Sequence, residues 1–391
     1  MISELRQHYN ASFTPEKYRR FVKRLNAISG ATIEFRISET PCFLPRSLVE
    51  TMIRSGRELI EQLVDPAYHA LSARSIPAEY NVPNEDAHPQ FVQVDFGLVQ
   101  DDQGVCHPRL VEIQAFPTLY ALQPVLAQQY REVFEFDRPY LLEDRTLDCY
   151  QALLRRAILG DHDPENVVLL EIEPTKQKTL PDFILTDRLC GTRTLCVSEV
   201  IKQGKKLFYR LDGQLVPIHR IYNRVIIDEL VRRKPTMSFQ FSDELDVEWA
   251  GHPNWFFRIS KFSIPYLRHS CVPATSFLSE LKEIPAHPER FVLKPLYSFA
   301  GSGVVVGPTR EQIEAVPETL RSEYILQERV AFTPVIATPL GPTQAEIRIM
   351  YLWLDKLEAV TSIVRMGRGL MMGVDHNKNM EWVGASAAFY E

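Results

Sequence analysis

The chain lacks any C-x-x-C pair: its six cysteines, at positions 42, 106, 149, 190, 196 and 271, are scattered along 391 residues. That spacing excludes a zinc ribbon and argues against a disulfide frame, so reduced, mostly buried thiols in a cytoplasmic protein are expected. No run of 18 apolar residues occurs, so neither a membrane-spanning helix nor a membrane partner is expected. The stretch MISELRQHYNASFTPEKYRRF has no apolar core of leader-peptide length. Excess positive charge is missing too. A net charge of −6 argues against nucleic acid as a partner, since no broad basic footprint is available. There is no G-x-S-x-G, the histidines define no triad, and nothing has zinc-site spacing. Low-complexity tracts and internal repeats are also absent. What is there is an ordinary globular composition, 45% hydrophobic and 24% charged, in a chain long enough for two or three cores.

The first 70 residues read as helical. In RSLVETMIRSGRELIEQLV, apolar residues at 48, 49, 52, 53, 59, 60, 63 and 64 form one helix face. Residues 66–90, rich in Pro, Asn, Asp and His, predict an irregular loop. FVQVDFGLV and PRLVEIQAF predict two strands joined by DDQGVCH, and LYALQPVLAQQYREVF predicts a helix. VVLLEIE (167–173) has the unbroken apolar character of a strand inside a parallel sheet. KTLPDFILTDRLCG predicts a helix ending at Gly191, TRTLCVSE a strand, and KKLFYRLDGQLVPIHRIYNRV a hairpin turning at Asp212-Gly213. This alternation suggests a Rossmann-like unit at 146–250. His219, Arg220, Tyr222 and Arg224 alternate along a polar strand edge, and His252 and Trp255 read as packing around a turn.

FVLKPLYSFAGSGVVV (291–306) places Lys294 in an apolar strand before a Gly-Ser-Gly turn. Glycines let backbone N–H groups approach phosphate oxygens, and a lysine adds a point charge. The same stretch also fits a hairpin turn with an exposed lysine, and its neighbours decide between the two. Lys261 precedes a Val-Pro-Ala-Thr turn, YILQERV follows the loop, and Glu-Ile-Arg comes next.

Lys261, Val-Pro-Ala-Thr, Val-Leu-Lys-Pro, Gly-Ser-Gly-Val, Leu-Gln-Glu-Arg-Val and Glu-Ile-Arg, in that order, resemble the ATP-grasp superfamily over about 130 residues. The resemblance implies an α/β fold of the α+β ATP-grasp kind, with ATP as cofactor. Lys261 and Lys294 would contact the α/β-phosphates and the adenine side, under a loop containing Ser298, Gly301, Ser302 and Gly303. Gln327, Glu328 and the backbone near Val330 would read adenine. Glu346 would meet the ribose, and Arg348 and Arg365 would face the triphosphate or an acylphosphate. The family's metal-binding Asp and Glu-x-Asn usually follow this hinge, yet the tail holds only Asp375 with Asn377. The counterpart lies near the other end: Asp95 on one strand and Glu112-x-Gln114 on the next, followed by Ala-Phe-Pro-Thr.

This order resembles a circularly permuted ATP-grasp domain of the glutathionylspermidine-synthase-like branch. Asp95, Glu112 and Gln114 would hold Mg²⁺, with Gln114 standing where the family has Asn. Residues 1–145 would carry N-terminal helices and the metal-binding half, 146–250 an inserted Rossmann-like pre-ATP-grasp domain, and 251–391 the ATP-binding half. The implied activity is ATP-dependent ligation of a small-molecule carboxylate to an amine or thiol through an acylphosphate, releasing ADP and phosphate. Two alternatives stay open: a small-molecule kinase on the same fold, and a non-catalytic nucleotide-binding or scaffold protein with a decayed site.

Overall fold

The computed structural model describes residues 1–297, 303–373, 377 and 379–391. Its centre is an antiparallel sheet in the order Gly384–Ser386, Leu357–Gly367, Gln344–Trp353, Phe91–Gln100, Cys106–Gln114. Segments from the two ends of the sequence therefore meet in one sheet, because Gln344–Trp353 pairs with Phe91–Gln100 from Glu346↔Gly97 to Leu352↔Phe91. The predicted amphipathic helix forms as Arg46–Leu63 and lays its apolar stripe on one face of this sheet. Leu48, Val49, Met52, Ile53, Leu59, Ile60 and Leu63 share a core with Val92, Val94, Phe96, Ile347, Ile349 and Tyr351. Burying side chains of this size contributes about 1.5–3 kcal/mol each. Gly56 faces Tyr351 so closely that an added Cβ would lie 2.1 Å from its hydroxyl. That hydroxyl donates to the Ile53 carbonyl at 2.8 Å, so the glycine is what lets helix and sheet meet.

A second antiparallel sheet runs Thr275–Phe277, Tyr324–Glu328, Phe291–Pro295, Val305–Val306. It has its own small core of Leu278, Leu293, Ile313, Val316 and Leu326. A third sheet is parallel throughout: Glu248–Ala250, Arg220–Asn223, Val167–Glu171, Arg193–Cys196. Val167, Val168, Leu169 and Leu170 are wholly buried, as their unbroken apolar run requires. The helix Leu180–Cys190 ends in Gly191, whose φ of +76° is the left-handed cap glycine provides.

Three expectations change. Residues 66–90 are not all irregular: Pro66–Ser72 is a helix, started by the Asp65 side chain accepting from Ala67 N and by proline in its first turn. A turn-rich composition concealed that start signal. The rest of the stretch is clasped onto the helix Asn254–Arg258. There the Glu85 carboxylate accepts from Arg258 Nε at 2.5 Å and from Asn254 Nδ2 at 2.9 Å. Lys206–Leu211 and Gln214–Ile218 do form a hairpin through Asp212-Gly213, both at positive φ. The continuation Arg220–Asn223, however, leaves that hairpin for the parallel sheet. Finally, residues 42–44 and 388–390 form a parallel pair that the sequence reading did not include.

Candidate functional site

Alternation along the central strands sorts side chains between the faces. One face takes Val94, Phe96, Ile347 and Ile349 into the core under the helix Arg46–Leu63. The opposite face carries a row of charge. Glu112 pairs with Asp95 and Asp95 with Arg348, while in the next row Gly97 pairs with Glu346 and Glu346 with Arg365. Gln93 and Gln114 pair on the other side. An isolated half-buried hairpin would leave this face in water. Here Gln93 and Asp95 are buried, and Gly97 is roofed by Val330 and Phe332.

Register shifts beside Asp95: Asp95 faces Glu112 but Phe96 faces Leu110, so Val111 is the extra residue of a bulge. Its carbonyl, freed from the ladder, accepts from Lys294 Nζ at 3.2 Å. Lys294 also donates to Gln327 Oε1 at 2.5 Å. The bulge thus binds the second sheet to the edge of the first, with Lys294 between them. Lys261 opens a short 3₁₀ helix, Lys261–Tyr266, after its cap Ser260. Glu112 lies close enough to both lysines to support their charged forms. Burial nevertheless holds Lys261 and Lys294 below the ordinary lysine range, and for Lys294 the nearby Lys261 adds to the effect.

Asp95 is held by arginine. Its Oδ1 accepts from Arg348 Nε at 2.5 Å, and its Oδ2 accepts from Arg348 Nη2 at 2.7 Å and Arg365 Nη2 at 3.1 Å. Arg348 Nη1 donates to Gln93 Oε1 at 2.7 Å, and Arg365 Nη1 donates to Glu346. Burial alone would raise the Asp95 carboxyl. Arg348 and then Arg365 outweigh it and hold Asp95 below the usual carboxylate range. Burial pushes Glu346 the other way, Arg365 opposing and the charge on Asp95 adding to the rise.

The predicted residues therefore land unevenly. Lys261, Lys294, Gln327, Glu346, Arg348, Arg365, Asp95, Glu112 and Gln114 converge on the charged face and the sheet edge beside it. Glu328 is exposed, and its backbone N–H donates to the Ala274 carbonyl at 2.7 Å. Val330 stands with Phe332 over Gly97. Gly303 has a φ of +71°. Ser298, Gly301 and Ser302 lie outside the described residues, as does Asp375. Asn377 is buried as a structural clasp, taking N–H groups from Arg368 and Gly369 and donating to the carbonyls of Met371 and Gly373.

The expected metal set is not arranged for a divalent ion. Both Asp95 oxygens are taken by guanidinium groups. In the amide orientation that satisfies its neighbours, Gln114 Oε1 accepts from Arg348 Nη1 at 2.9 Å and Nη2 at 2.7 Å. Among the described residues no three His, Cys, Asp or Glu side chains form a group that could hold a metal ion. The physical reason is that two arginines on neighbouring strands occupy the register positions facing the carboxylates. By contrast, a buried atom does fit an organic or phosphate ligand: Gln327 Nε2 is a donor without a protein partner.

Sequence reasoning missed Gln93, although the alternation that places it beside Asp95 was visible. It also missed the Val111 bulge, which leaves no sequence signal. Arg220 and Arg224 turn out to be buried and structural. Arg224 pairs with Asp182 at 2.6 Å, and Arg220 donates to Glu248 at 2.6 Å. His252 and Trp255 pack as expected, with His252 Nε2 at 3.1 Å from the Pro83 carbonyl and Trp255 Nε1 donating to Asp86.

No protein-family model matches the chain, and no curated protein matches it in sequence. The solved structure of a glutathione synthetase-like effector from Globodera pallida, in its apo form, matches with a TM-score of 0.61 at 10% identity. That match covers 97% of this chain and 97% of the other. At that identity the likeness concerns the fold alone, a mixed α/β arrangement.

Proposed function

We propose that this chain is a circularly permuted ATP-grasp ligase that activates a small-molecule carboxylate with ATP and passes it to an amine or thiol. The observation that carries the reading is the meeting of Asp95 and Glu112, from early in the sequence, with Lys294, Gln327 and Arg348, from late in it. The glutathione synthetase-like fold supports it. On this reading residues 146–250 are the inserted domain, built around the parallel sheet. The nucleotide lies between the central sheet and the sheet containing Lys294, with Gln327 Nε2 and the backbone near Val330 on the adenine side. The substrate carboxylate attacks the γ-phosphorus, forming an acylphosphate and ADP, and the amine or thiol then displaces phosphate. Arg365, the more exposed of the two arginines, and the lysines neutralise the charge on the transferred group. No step is assigned to Mg²⁺, because the residues present do not fit it.

The test is ADP release with panels of acids and amines, for wild type and Lys294→Ala. ADP formation that depends on an acceptor and is lost in the variant supports the ligase. Phosphate remaining on the acceptor would indicate a kinase instead. A second reading, a nucleotide-binding protein without catalysis, is favoured by the clamp of two arginines on Asp95. Saturable ATP binding without ADP release from any acceptor pair would select it.

A further inference from the structure

We infer that the parallel sheet carries a binding site of its own, a crevice at the carboxyl ends of Val167–Glu171 and Arg220–Asn223 that takes a primary ammonium group on Glu171. The site goes beyond the nucleotide reading above and does not need it.

Topology places the crevice. The strands lie in the order Glu248–Ala250, Arg220–Asn223, Val167–Glu171, Arg193–Cys196, and Val167–Glu171 comes first in the chain. From it the chain runs through the helix Leu180–Cys190 to the strand on one side, and only later reaches the strand on the other. The two central strands are therefore continued in opposite directions. Such a switch point is where open parallel sheets bind ligands, outside the carboxyl ends of the strands. Glu171 ends one of the two strands. Arg224 directly follows the other, its N–H donating to the Leu170 carbonyl at 3.0 Å.

The side chains there set the sign of the ligand. Glu171 is 3% exposed. Its Oε1 accepts from the Ile172 N–H at 2.7 Å, and among the described residues no group donates to Oε2. The nearby cations are engaged elsewhere. Arg224 donates through Nη1 to Asp182 at 2.6 Å and through Nη2 to Thr118 at 3.3 Å. Arg233 pairs with Glu173 at 2.5 Å and with Glu229 at 2.6 Å, and Gln177 also donates to Glu229. Burial is the largest effect on Glu171 and pushes its carboxyl up to about 8, with Arg224 and Arg233 opposing and Glu229 adding.

A phosphate finds no cradle here. Amides at the start of the helix Leu180–Cys190 are already used, Leu180 N donating to Gln177 O at 3.0 Å and Asp182 N to Thr179 O at 2.9 Å, and Asp182 puts a carboxylate in that first turn. An ammonium meets the opposite situation. It supplies the N–H donor that Oε2 lacks and the positive charge that offsets ionisation of a buried carboxyl, whereas a neutral donor supplies only the first. Binding then exchanges the Glu171 O–H for an ion pair: the carboxyl proton passes to the buffer, and the ammonium keeps its own protons.

The probe is n-butylammonium, titrated into the full-length chain by calorimetry at neutral pH in phosphate and in MOPS, whose ionisation enthalpies differ. Butanol and butyrate are its neutral and anionic counterparts. Glu171→Gln keeps the side chain's size and removes the buried charge, so it is expected to melt no lower than wild type, and its melting temperature is measured alongside. Expected are saturable n-butylammonium binding with release of about one proton per ligand, and an affinity that rises roughly 10-fold or more from pH 6 to pH 8. Glu171→Gln should lose the proton release and bind at least about 10-fold more weakly, and neither counterpart should bind. No binding at about 100 mM probe overturns the site. So do binding without proton release, butanol binding as tight as that of the ammonium, and equal binding by a folded Glu171→Gln. Proton release and pH dependence in wild type decide the matter even if the variant does not fold.

Discussion

Arg348 is the residue whose removal most directly tests how this site is built. Its guanidinium donates twice to Asp95 and once to Gln93, both buried, and through Nη1 and Nη2 to the amide oxygen of Gln114. Arg348→Met keeps most of the aliphatic volume and removes the charge, so the cost isolates the pairing rather than a cavity. Removing one partner of a buried pair costs about 3–5 kcal/mol. Arg365 still donates to Asp95 at 3.1 Å, which places the expectation near the lower end, about 3 kcal/mol. Asp95→Asn in the same background should then cost little more, since it removes the stranded charge; a coupling of about 2 kcal/mol or more is expected from the double-mutant cycle.

The assay is urea denaturation at neutral pH for wild type, both single variants and the double. The pH dependence gives an independent reading of the same pair. Arginine holds Asp95 below its unfolded value of about 3.9, so its contribution is fully present above that pH and is lost as pH falls through the folded value. The gap between wild type and Arg348→Met should therefore narrow on the acid side of about pH 4. A single-variant cost under about 1 kcal/mol, or additive effects of the two substitutions, would refute the reasoning.

Two further perturbations probe the surroundings. Glu171 ends a parallel strand and is 3% exposed; burial pushes its carboxyl up to about 8, with Arg224 and Arg233 opposing and Glu229 adding. A raised carboxyl contributes full stability below its unfolded value and loses it as pH rises toward the folded one. Glu171→Gln should therefore match wild type near pH 4 and exceed it by about 4 kcal/mol near pH 8. An offset that stays constant across this range would refute the assignment. At Gly97, an alanine Cβ would sit 2.7 Å from Phe332 Cε1 and 3.0 Å from Val330 Cγ1. Gly97→Ala is expected to cost about 1–3 kcal/mol by overpacking and to weaken ATP binding as Val330 is displaced. An unchanged melting temperature would show that this segment does not press on the sheet.

How far the sequence carried the site depends on which physics each feature obeys. Period-2 alternation is local, so QVDFG and VEIQ were readable as strands with their polar residues on one face, and the helix Arg46–Leu63 was readable from its 3.6 period. Lys294 stood out only through its neighbours, since a lysine in an apolar strand before glycines fits a hairpin turn with an exposed lysine as well. What alternation does not state is what lies opposite. Asp95 and Glu112 on paired strands look equally like metal ligands and like the acidic half of an ion-pair row until Arg348 and Arg365 are placed beside them. Those arginines come from strands some 250 residues later in the chain. The bulge at Val111 is equally nonlocal, since it exists only in the pairing of two strands and leaves no residue signature. The difference between a metal centre and an arginine-clamped face thus lies in register across the Gln344–Trp353 and Phe91–Gln100 pair. Slipping that register by one residue would exchange Arg348 for an isoleucine opposite Asp95 and leave the carboxylates facing each other unneutralised. Burial of that arrangement would be too costly without a cation, so register and charge pattern specify one another.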